Sequence, residues 1–356
     1  MLEHIRRAQC EIKKAGLDSF LFTSSSNLFY LSNFSSSNAY ILLLPDRGYY
    51  ITDSRYYENA KNRIEGLEII QIKERKLKEI LLEILSGNSV KTVGFEKDKV
   101  TVSFYEKLRE ELSEYELKGV IGFLNRVRIT KTALEIDIIQ QAVKKTDRVF
   151  LQIIREIDHF PTELSIRRRI VDLIFQEGGS GESFPAIVAT SIHSAIPHWE
   201  TSDSKIEKNT PLLVDMGMKL SGYCSDFTRT LFIGEVNKKL LEIYNVVKEA
   251  NIEATSVVKA GIPIKDIDIR ARSVIDKYGY GEYFTHSTGH GIGIDIHEEP
   301  RVYKDNEDVL MENTVFTIEP GIYIPGLGGV RLENVVVATK EGPKILTETS
   351  LDVIHI

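Results

Sequence analysis

Residues 212–232 read LLVDMGMKLSGYCSDFTRTLF. Two apolar, strand-like runs flank a short turn, and each holds one carboxylate, Asp215 in the first and Asp226 in the second. If the strands pair symmetrically about Leu220 and Ser221, the two aspartates stand opposite each other and project from one face of a hairpin. The plain alternative is an ordinary hairpin with one aspartate in solvent, but Leu213, Val214, Phe227 and Leu231 argue against a fully exposed strand. A carboxylate in such surroundings needs a cation or a proton.

Outward from this hairpin, helical spacing covers 132–158, 162–178, 236–259 and 264–279. Strand signals fall at 184–190, 211–218, 223–233, 292–296, 313–319 and 330–338. Strands that come as neighbours joined by turns, rather than as βαβ units, predict an antiparallel sheet with helices on one face, an α+β domain. Thr132 with Glu135 three residues on predicts a capping box at the first of these helices. Before about residue 122 the pattern differs. Short β-rich runs (SFLFT, AYILLLP, GLEIIQI, KTVGFE) alternate with helical periodicity at 2–15, 53–64, 75–86 and 102–114, which predicts a small α/β domain with a mixed sheet. A boundary at 123–131 gives domains of 1–124 and 130–356.

The 356 residues carry a formal net charge of −7 with Lys and Glu interleaved, and no basic stripe suggests nucleic acid. Cys10 and Cys224 are the only cysteines, which fits a reducing compartment and no disulfide framework. The start, MLEHIRRAQCEIKKAGLDSF, is amphipathic without the apolar stretch of a signal peptide, and no apolar run reaches membrane-spanning length. The expectation is a soluble, cytoplasmic protein with no membrane partner.

Three more residues join the two aspartates. His290 sits among glycines in HSTGHGIG, where Gly289, Gly291 and Gly293 allow close backbone approach. Glu319 ends an apolar run in FTIEPGIY, and Glu333 lies in GVRLENVVV on the return strand. Singly, each reads as an ordinary histidine or surface glutamate. Four acids and one imidazole brought together would repel unless positive charge lay among them, so the set reads as a site for two divalent metals. Cys224 reads as a buried structural thiol rather than a ligand. His198 in AIPHWETSD and His297 in DIHEEP could line the same cleft and hold a substrate carbonyl or a developing oxyanion. His193 and His286 are not expected to bind metal.

The ordered motifs PH, DxGxxxxGYCSDFTRT, HxxGHGIGxxxHE, EPGIY and GVRLEN resemble the metal-dependent pita-bread peptidases, the group of methionine aminopeptidase, aminopeptidase P and prolidase. NLFYLSNF and ITDSRYYENA resemble the creatinase-like N-terminal domain that prolidase and aminopeptidase P carry. The resemblance implies a curved antiparallel sheet and a dinuclear metal-dependent exopeptidase cutting before proline. A prolidase (Xaa-Pro dipeptidase) is favoured slightly over an aminopeptidase P acting on longer peptides. It implies that Asp226 and Glu333 bridge two ions, that Asp215 completes one shell, and that His290 and Glu319 complete the other. Mn²⁺ or Co²⁺ is favoured, with Fe²⁺ or Zn²⁺ as alternatives. It further implies Glu319 as proton shuttle, His198 and His297 as substrate and transition-state ligands, and Tyr323 and Arg331 as residues that orient Asp215. Arg301 would receive a substrate carboxylate, and a homodimer is expected. The chain departs from the family around His198. Members more often show a glycine near Ile192 and another where this chain has Trp199, which leaves the local pocket shape open. A metal-free creatinase would lack the acid ligands, and a non-catalytic binding relative would have lost some of them; neither fits five intact ligands.

Overall fold

A computed structural model describes residues 2–73 and 76–356, and the chain falls into two units that meet between Val127 and Arg128. The N-terminal unit holds a six-stranded sheet whose spatial order is Glu68–Ile72, Gly48–Asp53, Ala39–Leu43, Ser19–Phe22, Thr92–Glu96 and Glu116–Val120. Ser19–Phe22 runs antiparallel to Ala39–Leu43 and parallel to Thr92–Glu96, so the sheet is mixed, as predicted. Leu21, Leu42, Ile51 and Phe95 pack against Ile80, Leu81 and Leu85 of the helix Leu77–Gly87. That helix was expected from residue 75, which lies outside the described residues. The helix Ser25–Ser32 and the strands Gly48–Asp53 and Glu116–Val120 were not foreseen. The last is an exposed edge strand rich in charge, which hides the alternation that periodicity needs.

The paired strands of the second unit all run antiparallel. The capping box forms: Glu135 N donates to Thr132 Oγ1 at 3.3 Å, and Thr132 N to Glu135 Oε2 at 2.8 Å, opening the helix Ala133–Arg155. This helix and Glu163–Gln176 bury Phe150, Ile153, Ile166 and Ile170 against Val188, Val214 and Phe227 of a three-stranded sheet, Phe227–Ile233, Thr210–Met216, Ile187–Thr190. The helices Lys238–Ser256 and Lys265–Lys277 bury Ile243, Val247, Ile267 and Ile275 against Phe316, Ile318 and Val336 of a second sheet. Its order is Glu298–Val302, Gly289–Gly291, Val315–Ile318, Asn334–Ala338, Pro343–Ile345. Each buried aliphatic side chain contributes roughly 1.5–3 kcal/mol, so the apolar faces alone fix which side of each strand turns inward.

Three expectations need correction. The hairpin does not turn on Leu220 and Ser221. Lys219 pairs with Cys224 and Leu220 with Tyr223, so the turn residues are Ser221 and Gly222, at φ 49° and 84°. Two adjacent left-handed residues make the tight reversal whose twist suits a hairpin. Asp215 therefore stands opposite Thr228, and Asp226 is its diagonal neighbour on the same face. The strand expected at 292–296 lies earlier, at Gly289–Gly291, because Gly289 and Gly291 sit where a side chain would strike the backbone of Thr317 or Glu299. The strand expected at 330–338 is broken at Leu332 and Glu333. Among the described residues no helix is long and apolar enough to cross a membrane.

Candidate metal centre

The broken strands bring the acids together. Asp215, near the end of Thr210–Met216, Asp226, just before Phe227–Ile233, and Glu333, in the break before Asn334–Ala338, each offer an oxygen within 4.8 Å of the others. His290 joins them from Gly289–Gly291, its Nε2 lying 3.4 Å from Asp226 Oδ2 and 3.4 Å from Glu319 Oε1. Glu319 follows Val315–Ile318 directly. Asp226 and Glu333 are 5% and 2% exposed and form the floor, while His290 and Glu319 remain partly open on the wall.

Each side chain is held from behind. Asp215 Oδ2 accepts Arg331 Nη2 at 2.6 Å, and Arg331 Nη1 donates to the Tyr323 hydroxyl at 2.8 Å. That hydroxyl lies 2.9 Å from His286 Nε2, and His286 Nδ1 lies 2.8 Å from Ser287 O. Because the guanidinium can only donate, the tyrosine proton points to Nε2, and Nδ1 carries the imidazole proton. Thr228 Oγ1 donates to Glu333 Oε2 at 2.9 Å, and Phe227 N to Asp226 Oδ1 at 3.0 Å. Thr317 Oγ1 accepts His290 N at 3.0 Å and donates to Glu319 Oε1 at 3.1 Å, fixing two neighbours of the site with one hydroxyl. His290 Nδ1 lies 3.1 Å from Gly291 O, which leaves Nε2 free to act as a ligand.

The electrostatics show what the arrangement lacks. Burial, then the charge of neighbouring acids, raises Asp226 and Glu333 well above the usual carboxylate range. Burial and Asp215 push Glu319 up to about 7, against the opposing pull of Arg331. Burial lowers His290 and His297, and lowers His286 to about 3. These shifts mark acids packed closer together than their like charges allow. Asp215 Oδ1 and Glu333 Oε1 are buried and have no hydrogen-bond partner at all. Orphaned carboxylate oxygens are rare because their desolvation is uncompensated. Both vacant oxygens belong to the acid cluster, and carboxylate oxygens with one imidazole nitrogen suit hard or borderline divalent ions. The residues fit a metal centre.

His198 and His297 are both exposed at the rim. The His297 ring packs edge-on to His290 with centroids 4.4 Å apart, and its imidazole is lowered by burial and by His290 and His198. Arg301 pairs with His290 across the strands Gly289–Gly291 and Glu298–Val302, and is exposed. Cys224 faces away, 3.4 Å from Ile294 O, its thiol pushed up to about 11 by burial. His193 Nδ1 lies 2.8 Å from Glu163 Oε1, outside the acid cluster. Sequence reasoning missed Thr228, Thr317, Glu163 and the role of His286. Thr228 had a readable signal, since it shares the face of Asp226 two residues on.

Residues 137–340 match the model of metallopeptidase family M24, and residues 4–130 that of the creatinase/prolidase N-terminal domain. An Xaa-Pro dipeptidase of Pyrococcus horikoshii is 36% identical over 355 residues, covering 99% of both chains. Among solved structures, an Xaa-Pro dipeptidase from Bacillus anthracis superposes with a TM-score of 0.95 at 35% identity, covering 99% of both chains. An X-Pro aminopeptidase from Thermotoga maritima gives 0.92 at 33% identity, covering 98% of this chain and all of the other.

Proposed function

The chain belongs to metallopeptidase family M24, and on that premise we propose that it is a metal-dependent exopeptidase cleaving the Xaa-Pro bond, acting first as an Xaa-Pro dipeptidase. The observation that carries this reading is the cluster of three mutually close acids, joined by His290 and Glu319, with two orphaned carboxylate oxygens. Asp215, Asp226, His290, Glu319 and Glu333 would together hold two divalent ions. Mn²⁺ or Co²⁺ is the pair we favour, before Fe²⁺ or Zn²⁺. When bound, such ions lower the pKa of water and polarise a carbonyl.

The chain's own groups supply the rest. Glu319, its carboxylate 3.4 Å from His290 Nε2 at the open side of the acid cluster, takes the proton from the attacking water and delivers it to the proline nitrogen as the bond breaks. His297, kept neutral by its surroundings, and His198 hold the scissile carbonyl and the charge that develops on it. Arg301 receives the carboxylate of a dipeptide. The Arg331–Tyr323–His286 chain keeps Asp215 oriented. A homodimeric, cytoplasmic enzyme acting on proline-containing dipeptides or short peptides completes the proposal.

The likeness to the Thermotoga maritima aminopeptidase favours a second reading, removal of one residue before proline from longer peptides. Metal-stripped protein reloaded with Mn²⁺ or Co²⁺ and offered Xaa-Pro and Xaa-Pro-Yaa decides between them. Dipeptide turnover alone supports the first reading, and tripeptide turnover the second. Folded, metal-loaded protein inert on both would sink the peptidase reading.

A further inference from the structure

Behind the rim histidine lies a second buried carboxylate that the proposed chemistry does not use. Glu163 opens the helix Glu163–Gln176 and is wholly buried, yet among the described residues it pairs with no lysine or arginine. Its Oε1 accepts Thr190 N at 2.9 Å and His193 Nδ1 at 2.8 Å. Its Oε2 accepts Trp199 Nε1 at 2.9 Å, Ser202 N at 3.1 Å and Ser202 Oγ at 2.9 Å. These donors come from the start, the middle and the end of one loop, residues 190–202, and that loop carries His198. Burial opposes ionisation, but the donors overcome it and hold Glu163 below the usual carboxylate range.

Trp199 and His193 stack within this loop, ring centroids 3.9 Å apart and 15° from parallel. The indole also packs against the small apolar cluster of Ala189, Leu213 and Tyr323. Trp199 is thus the loop's internal brace. The loop is tied to the acid centre as well. Arg331 Nη1, on the guanidinium that holds Asp215, donates to Pro197 O at 3.3 Å, and Gly329 N donates to Ser194 Oγ at 2.9 Å. This connecting segment, with its exposed histidine, has fixed points at Thr190, His193, Ser194, Pro197, Trp199 and Ser202.

We infer that Glu163, with Trp199 and His193, is a positioning clamp that sets where His198 meets the substrate, so that this loop's order is part of turnover. The inference rests on the peptidase reading above. Holding a carbonyl-binding group in place matters because a misplacement of about 1 Å can cost on the order of 10²-fold in rate.

Trp199 is the only tryptophan in the chain, so its fluorescence reports on the clamp alone. The test compares wild type, Trp199→Phe and Glu163→Gln as full-length, Mn²⁺-loaded proteins on Xaa-Pro. Trp199→Phe keeps an aromatic ring for the stack with His193 but removes one donor, so it preserves folding even if Glu163→Gln does not. The expected result is a loss in kcat/KM of about tenfold for Trp199→Phe and more for Glu163→Gln, with metal content unchanged. In Glu163→Gln, Trp199 emission moves to longer wavelength and its anisotropy falls. Wild-type turnover retained in Trp199→Phe, or activity lost only in proportion to metal, overturns the clamp. A wild type inert on Xaa-Pro and Xaa-Pro-Yaa overturns the peptidase reading instead, and so the two failures are told apart.

Discussion

Residues 133–233 and 238–338 follow one plan. Each has two helices packed on an antiparallel sheet that contains three equivalent strands, Ile187–Thr190, Thr210–Met216 and Phe227–Ile233 in one and Gly289–Gly291, Val315–Ile318 and Asn334–Ala338 in the other, with the second of each set in the middle. The acids recur at matching places: Asp215 and Glu319 at the end of the middle strand, Asp226 and Glu333 immediately before the third. The halves differ in what the first strand brings. Ile187–Thr190 offers nothing that titrates, whereas Gly289–Gly291 brings His290. They also differ in how acids are held. Asp215 of the first half is gripped by Arg331 of the second, and Glu333 of the second by Thr228 of the first, but Glu319 has only Thr317 from its own strand. A repeated scaffold has been given cross-braces at two acids, while Asp226 and Glu319 are hydrogen-bonded from within their own halves. Of these two, Glu319 is the more open and is suited to move a proton.

Removing an acid that both halves share should have the largest effect. Asp226→Ala or Glu333→Ala should lower kcat/KM by on the order of 10⁴-fold or more, since several kcal/mol of charge stabilisation go with the metals. Elemental analysis should find both ions lost from each variant. One ion retained at full occupancy would break the symmetric assignment. Next come the strand-end equivalents, Glu319 and Asp215. Glu319→Gln should cost roughly 10²–10⁴-fold in kcat, the range for loss of a general acid–base. Asp215→Asn should cost less in kcat and more in metal affinity, read by titration calorimetry. Equal kcat losses would erase the difference between the halves.

The twofold plan was invisible in the sequence, although its parts were not. The helices and the antiparallel class were legible because apolar spacing at 132–158 and 236–259 and turn-joined strands each have one physical reading. The acids were legible because a carboxylate among Leu213, Val214 and Phe227 has few innocent explanations. The hairpin register was missed by two residues. Alternation fixes the face of a strand but not its slip along the partner, and Ser221 gave no sign that it would adopt a left-handed backbone. His286 and Glu163 were missed for a different reason: their partners lie 37 and up to 39 residues away in the chain, and no local pattern reports a long-range hydrogen bond.

A smaller effect tests the braces themselves. Tyr323→Phe removes the hydroxyl between Arg331 and His286 while keeping the ring, and should weaken metal binding by about tenfold, the low end for loss of a group that orients a ligand. Because Glu333 is braced by Thr228 instead, Thr228→Val should weaken binding independently. The double variant should then show the two losses multiplied, as for separate contacts. Strong departure from that product would mean that Arg331, which also touches Thr228 at 3.3 Å, couples the two braces into one.

The least effect is expected in the stability of metal-free protein, where the sign decides. Asp226, Glu333 and Glu319 all bind protons more tightly folded than unfolded, the last at about 7. Between the ordinary carboxylate range and that value these acids make stability fall as pH rises, while His286, His290 and His297, held below the usual imidazole range, make it rise until the unfolded imidazoles lose their protons near 6.5. Comparison with Glu319→Gln, which keeps the histidines, isolates the contribution of Glu319. In a chelator, wild-type Tm should fall by at least ~3 °C relative to that variant from pH 5 to pH 8, a shift that takes about 1 kcal/mol in a domain of this size. Adding Mn²⁺ at pH 8 should raise the wild-type Tm, since cations then replace the protons. A wild-type Tm that holds level with or rises against the variant's over this range would mean that Glu319 is not held in the close, buried arrangement on which the contrast between the two halves rests.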